Sequence, residues 1–108
     1  MDEINEIKDK AILIIKSYLK SKRTVEFLNK GYLDLGEVKD KMGFDIYLTI
    51  AKVEATLSCL QEKYYFLIAN EFINPKHPYW WQDYYSRSSY YRIKNQALIE
   101  FYDIYNAN

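Results

Sequence analysis

The sequence predicts an all-α protein, a small single-domain bundle of about five helices. Apolar residues recur at intervals of three and four along most of the chain, whereas no stretch shows the sustained alternation that is typical of strands. The residues that break helices are confined to two places: all three glycines lie within residues 31–43, and both prolines lie within residues 75–78. These two breaks divide the predicted domain, residues 1–108, into helical segments.

The composition limits the classes of function. Hydrophobic residues make up 49% of the 108 residues and charged residues 28%, which is typical of a globular domain. The 15 basic and 15 acidic residues cancel, so a nucleic-acid-binding protein of this charge must concentrate its cations locally. No apolar run approaches the roughly 20 residues of a membrane span. We therefore expect a soluble, cytoplasmic protein with no membrane partner.

Residues 1–44 are predicted to form an N-terminal helix followed by an irregular connection. The helical spacing of apolar residues begins at Ile4 and continues to about residue 20. Thr24 is positioned to cap a short further helix, which Gly31 would end as a left-handed C-terminal residue. The glycine-containing residues 31–44 are then interpreted as a connection with little regular structure.

Residues 45–108 are predicted to hold the central helix and the end of the bundle. Asp45 would cap a helical pattern that reaches Phe72, formed by one helix or by two joined near residues 59–61. Cys59, the only cysteine, is interpreted as a small buried residue of this pattern. Asn74 precedes a proline, which disfavours the α conformation and ends the helix.

The last part of the chain predicts a short aromatic helix and a long final one. Pro78 suits the first position of a helix over residues 78–85, which is rich in tyrosine and tryptophan. Ser86 is positioned to cap the final helix by accepting from the backbone N–H of Ser88 or Ser89. Spacings of 3, 4, 4 and 3 define the inward face of this helix: Tyr90, Ile93, Ala97, Phe101 and Ile104.

This order of a helix, a short helix, a tight turn and a capped helix is that of a helix-turn-helix. The stretch "SRSSYYRIKNQALIEF", residues 86–101, resembles the end of phage late-gene transcriptional regulators of the ArpU type. It is also similar to the helix-turn-helix in region 4 of bacterial sigma factors, and the chain resembles a small protein family of low-GC bacteria. The resemblance covers residues 57–105. Where those families have a turn glycine and a helical alanine, this chain has Tyr84 and Trp80, so its turn must be built differently.

The resemblance implies a DNA-binding transcriptional regulator whose partner is double-stranded DNA, with RNA polymerase as a further candidate partner. Ser86 would cap the recognition helix and contact a phosphate, and Arg87 would approach guanine with both of its donors. Asn95 would pair with adenine. The full set of expected DNA-binding residues is Ser86, Arg87, Ser88, Tyr91, Arg92, Lys94 and Asn95.

Charge provides independent support for this interpretation, and it also leaves an alternative open. Residues 86–96 contain three cations and no anion in a chain of zero net charge. A basic helix start can, however, simply be solvated, and a serine can serve only as a cap. The alternative is a non-catalytic helical interaction module without a nucleic-acid role, which associates with RNA polymerase or with a second copy of itself.

Other candidate sites carry weaker signals. A second basic patch, which would contact phosphate or an acidic partner or else be only a solvated face, comprises Lys16, Lys20, Lys22 and Arg23. The aromatic residues 79–85 would either seal a core or stack on single-stranded bases. His77 is the only histidine and has no companion at metal-ligand spacing. We therefore expect no enzyme activity, no small-molecule substrate, no metal and no cofactor.

Overall fold

The computed structural model describes residues 2–31 and 40–108, and the regular structure in these ranges is helical throughout. The prediction of an all-α fold is confirmed. The described residues form four α-helices: α1 Asp2–Asn29, α2 Asp40–Cys59, α3 Glu62–Ile68 and α4 Arg87–Ala107. Helix α3 continues directly into a π-helical turn, Ala69–Ile73, and a short 3-10 turn, Trp80–Asp83, precedes α4.

The expected helix over residues 78–85, and with it the count of five helices, needs correction. Within this segment only Trp80–Asp83 is helical, as a single 3-10 turn. The backbone N–H groups of Tyr84 and Tyr85 both donate to the carbonyl of Trp81, at 2.9 Å each, which closes the turn instead of propagating an α-helix. Burial of Trp80 against Leu67 and Tyr90 fixes the turn in this form.

Helix α1 is continuous, so the expected new start at Thr24 is also wrong. The Thr24 hydroxyl donates to the carbonyl of Lys20 at 3.1 Å, a bond that threonine makes in the interior of a helix. The predicted end of the helix is confirmed, because Gly31 has a φ of +81° and its N–H donates to Leu28 at 3.1 Å. A glycine adopts this left-handed conformation without the steric cost of a side chain.

Helix α2 begins at Asp40, five residues before the predicted cap, Asp45. Gly43 therefore lies in the first turn of a helix and not in an irregular connection. Residues 32–39, which include Gly36, lie outside the described residues. The central pattern forms two helices, because Gln61 is extended, with ψ at 144°, and separates α2 from α3.

Hydrogen bonds define how the helices pack. Helix α3 and its π-helical turn run antiparallel to α4, since Tyr64 contacts Gln96 at 3.3 Å whereas Glu71, further along, contacts Lys94 at 3.3 Å. The starts of α1 and α4 lie together, and their later parts both reach α2. The core between α1, α2 and α4 contains Ala11, Ile15, Val53, Leu98 and Phe101, each at most 1% exposed.

The predicted inward face of α4 is largely confirmed. Tyr90, Ala97 and Phe101 are buried, and Ile93 and Ile104 are partly buried against the core. The prediction for Cys59 is wrong, because its side chain is exposed.

The molecule is elongated, measuring 49 × 29 × 24 Å. Its radius of gyration is 15.6 Å, compared with about 13 Å for a compact domain of this length. The 28-residue α1 accounts for this shape, because a helix of that length spans about 42 Å. Within the described ranges, none of the helices is long and apolar enough to cross a membrane.

Candidate nucleic-acid interface at the start of helix α4

The start of α4 is a capped helix terminus. Ser86 is extended, with φ −71° and ψ 163°, and its Oγ accepts from the N–H of Ser89 at 3.3 Å. Its carbonyl accepts the first helical bond, from Tyr90 at 2.9 Å. This confirms the predicted cap. The preceding turn needs no glycine, because Tyr84 has a φ of −121° and no described residue other than a glycine has a positive φ.

Trp80 and Tyr90 connect this helix start to the rest of the bundle. Trp80 is 5% exposed and packs with Leu67 and Tyr90 in a small second core. Trp81 stacks on the Tyr90 ring, with centroids 4.6 Å apart and planes 12° apart. The indole of Trp80 thus fills the space between α3 and the start of α4. The end of the chain is an antiparallel pair of helices, α3 and α4, joined through a 3-10 turn.

Glu71, in the π-helical turn, is the centre of a polar network beneath the site. Its Oε1 accepts from Trp80 Nε1 at 2.9 Å and from the Tyr90 hydroxyl at 2.7 Å. Its Oε2 accepts from Lys94 Nζ at 3.3 Å. Burial alone would raise the pKa of Glu71, but the hydrogen bonds from Trp80 and Tyr90 and the charge of Lys94 outweigh it and hold this pKa below its usual value. Burial and the bond to Glu71 raise the pKa of the Tyr90 hydroxyl.

The seven predicted DNA-binding residues divide into two groups. The exposed group comprises Ser86, Arg87, Ser88, Tyr91 and Arg92. Lys94 is only 24% exposed at its side chain and is ion-paired with Glu71. Asn95 is partly buried, and its Oδ1 accepts from Lys8 Nζ at 3.0 Å. Lys94 and Asn95 are therefore each bonded to a residue of another segment of the chain.

Two residues of the site were not expected from the sequence. Lys8 lies beside Asn95, and both line a shallow groove of about 430 Å³ between α1 and α4, together with Tyr91 and the anionic Asp9. Glu71 neutralises Lys94 from a third element. Lys8 and Asn95 are 87 residues apart in the chain, and no local sequence pattern indicates such a contact.

The second basic patch is a separate surface. Its four residues, Lys16, Lys20, Lys22 and Arg23, are exposed. Lys22 forms an ion pair with Glu54 at 3.6 Å, with both side chains about half exposed, so this pair contributes little to stability. The patch begins 8 residues beyond Lys8 on α1, about 12 Å along the helix axis, and Arg23 lies 15 residues beyond it, about 22 Å, so Arg23 is the member best separated from the start of α4.

The aromatic residues 79–85 divide between the core and the surface. Trp80 is buried and Trp81 and Tyr85 are partly buried in the second core, whereas Tyr79 and Tyr84 are each 62% exposed. The Tyr84 ring lies edge-on to Phe66 at 5.1 Å, which fixes its position on the surface. This cluster therefore seals a core and also presents two aromatic rings to solvent.

Fold and site together define a small helical bundle that presents a capped, locally basic helix start. In the part of the chain that the structure describes, no three histidine, cysteine or acidic side chains are grouped so that they could hold a metal ion. Comparison with protein-family models, with curated proteins and with solved structures finds no match to this chain.

Proposed function

We propose that this protein binds double-stranded DNA through the start of α4 and acts as a transcriptional regulator. In this proposal the Trp80–Asp83 turn takes the place of the first helix of a helix-turn-helix. The observation that supports it is the exposure of Arg87, Ser88, Tyr91 and Arg92 on a helix start that Ser86 caps.

The chemistry of the exposed residues suits a duplex. Arg87, in the first turn, can donate to guanine O6 and N7 together, and Ser88 can contact a neighbouring base or phosphate. Arg92 lies one turn further along, where a phosphate is the expected partner. Tyr91, 48% exposed, lies on the same face as Ser88 and offers a hydroxyl to the DNA backbone.

Lys94 and Asn95 have lesser parts in this proposal. Glu71 offsets the charge of Lys94, so Lys94 adds little to phosphate binding. Asn95 can pair with adenine only if its Oδ1 is released by Lys8. Lys8 would then be free to contact a phosphate beside α4. The anionic Asp9 in the same groove favours a modest affinity.

The test is fluorescence anisotropy over a salt series, using duplexes recovered by selection from a random pool. If Arg87 and Arg92 each neutralise one phosphate or base-proximal charge, the logarithm of affinity should fall with the logarithm of salt at a slope of about −2. Arg87→Ala should cost about 1–3 kcal/mol and relax the preference at one base position. Arg92→Ala should weaken all sequences alike and flatten the slope by about 1.

Arg23→Ala is the matched control, because it removes the same side chain from the second basic patch, about 22 Å along α1 from Lys8. It should leave affinity and salt slope unchanged. The proposal fails if the folded protein enriches no sequence, or if Arg23→Ala weakens binding as much as Arg87→Ala does.

A second candidate function is protein–protein interaction without a nucleic-acid role. It is favoured by exposed apolar side chains on α2, among them Phe44 at 66% and Leu48 at 53% exposure. Monomeric soluble proteins rarely expose contiguous apolar patches of this kind without an interaction partner. RNA polymerase and a second copy of this chain are the candidate partners. Selection that yields no DNA sequence, together with self-association or polymerase binding, would establish this function instead.

A further inference from the structure

Helix α2 carries two apolar faces, and within residues 2–31 and 40–108 only one of them packs in the core. Val53, Thr56 and Leu57 are buried against the other helices. On the opposite side, exposed side chains recur at intervals of 4, 3, 4 and 3, a repeat that is typical of helices that pair along a seam. We call this surface the α2 stripe: Phe44, Leu48, Ala51, Ala55 and Ser58.

The α2 stripe has its large residues at one end and its small residues at the other. Phe44 and Leu48 lie in the first half of the helix, whereas Ala55 and Ser58 lie in the second half. A second α2 helix laid alongside in the opposite direction would set each large residue against a small one. About a two-fold axis between residues 49 and 50, Phe44 faces Ala55 and Leu48 faces Ala51, and the reverse pairs form on the other side.

We propose that the protein forms a two-fold symmetric dimer in which the α2 stripes of two copies pack antiparallel. A parallel pair would place Phe44 against Phe44 and Ala55 against Ala55, which crowds one end and leaves a gap at the other. Closely packed interfaces exclude such gaps, so the gradient of side-chain size along the α2 stripe selects the antiparallel arrangement. Because the α2 stripe is complementary to itself in that arrangement, its occupant is a second copy of this chain.

The charged and polar residues that flank the α2 stripe are complementary in the same arrangement. Asp45 of one copy comes beside Lys52 of the other, and Tyr47 comes beside Glu54 of the other, in each case twice because of the symmetry. Asp45 is exposed and Tyr47 is 53% exposed. Glu54 is about half exposed, and its Oε2 accepts from the Tyr18 hydroxyl at 2.9 Å and pairs with Lys22 at 3.6 Å, so Tyr47 of a second copy would meet its Oε1. Lys52 is half-buried, with its Nζ over the Tyr105 ring at 4.2 Å, and at seven residues from Asp45 it lies on the same side of α2.

The dimer leaves the start of α4 untouched, because none of its contacts involves that helix start. The proposed dimer therefore does not depend on DNA binding and is a separate property of the molecule. A two-fold dimer would offer two α4 starts, and such regulators bind DNA sites with matching symmetry.

The first test measures mass by light scattering during size-exclusion chromatography. The wild type should elute at twice the chain mass of 13.0 kDa. Leu48→Lys should elute as a monomer. Leu13→Lys, at a 65% exposed leucine of α1, should remain a dimer and serves as the matched control. Because both leucines are exposed, both variants should keep the wild-type circular dichroism spectrum. A monomeric wild type, or a dimeric Leu48→Lys, would overturn the proposal.

The second test determines the direction of pairing with the native cysteine. Cys59 is exposed and is the only cysteine, so a spin label attaches to the unaltered chain at one position. In the antiparallel dimer the two labelled positions lie about 28 Å apart along the helices. In a parallel dimer they would lie about 10 Å apart, the spacing of packed helices. Double electron–electron resonance should give the long distance, and strong short-range broadening would overturn the antiparallel arrangement.

DNA binding and dimerisation can fail separately. Arg87→Ala should lower DNA affinity without changing the mass, and Leu48→Lys should change the mass while leaving the α4 start intact. A dimer that enriches no DNA would refute the proposed function alone.

Discussion

At the scale of single residues, Glu71 determines how the end of the chain is held. Three side chains from two later segments donate to this one carboxylate: Trp80, Tyr90 and Lys94. Its position in a π-helical turn follows from the bond of Asn74 N–H to the Ala69 carbonyl at 2.7 Å. Such turns within helices frequently occur at functional sites, and here the turn supports the candidate DNA-binding helix from beneath.

Glu71→Ala should destabilise the fold by about 1–3 kcal/mol, because the indole N–H of Trp80 and the hydroxyl of Tyr90 would lose their acceptor in a mostly buried place. Glu71→Gln should cost less, since its amide oxygen can still accept from both groups. Asp103→Ala, at an exposed carboxylate of α4, is the control and should change little. Urea unfolding gives all three values. Equal effects of the alanine and glutamine variants would show that the hydrogen bonds do not matter.

The lowered pKa of Glu71 predicts a dependence of stability on pH. Because its folded-state pKa lies below the reference value of 4.5, ionised Glu71 stabilises the folded state fully above that pH. This contribution is lost as the pH falls through the folded-state pKa. The difference in unfolding free energy between the wild type and Glu71→Gln should therefore shrink between about pH 6 and pH 3. A difference that stays constant over this range would contradict the prediction.

At the scale of secondary-structure elements, α4 and α2 each expose a set of side chains that core packing does not explain. Helix α4 exposes a basic start, and α2 exposes an apolar stripe. The stripe was detectable in the sequence, because Phe44, Leu48, Ala51 and Ala55 repeat at helical spacing beside the buried set. Periodicity alone does not reveal which of two apolar faces lies inside, and that choice depends on the other helices.

Ser86→Ala tests whether the cap sets the start of α4. The variant should lose about 1 kcal/mol of stability, because the N–H of Ser89 loses its acceptor. Amide hydrogen exchange at Ser89 should accelerate by more than the change in global stability accounts for. Ser88→Ala, in the exposed first turn, should have a near-neutral effect on stability. If Ser88→Ala destabilised the protein as much as Ser86→Ala, the cap would be assigned to the wrong residue.

Local errors of the sequence-based prediction have physical causes that differ from one residue to the next. Thr24 and Asp45 are residue types that cap helices but also occur inside them, where the hydroxyl of Thr24 bonds back to Lys20. Cys59 lies off the buried face of Val53, Thr56, Leu57 and Leu60, and that register could have been read from the spacing of those residues. The short 3-10 turn before α4, by contrast, depends on the burial of Trp80, which requires the rest of the fold.

At the scale of the whole molecule, the sequence predicted which residues of the candidate site are exposed better than it predicted their contacts with other segments. The exposure of Arg87 and Arg92 follows from the periodicity of one helix. Asn95 is bonded to Lys8, 87 residues away in the chain, and Lys94 is bonded to Glu71, 23 residues away. Contacts of this kind depend on which helices pack together, and only the assembled bundle determines them.

The bundle should unfold as one unit, because its core joins α1 and α4, helices from the two ends of the chain. Leu98, 1% exposed, lies in that core, whereas Leu13, 65% exposed, lies on the outside of α1. Leu98→Ala should therefore cost about 2–5 kcal/mol, a large part of the total stability expected for a domain of this size. Leu13→Ala removes the same atoms without opening a cavity and should stay within about 0.5 kcal/mol of the wild type.

Urea unfolding, followed both by tryptophan fluorescence near the start of α4 and by circular dichroism of all helices, should give coincident transitions for each variant. Separate transitions would mean that the α4 start folds independently of the core, and a near-neutral Leu98→Ala would mean that α1 and α4 are not packed as described.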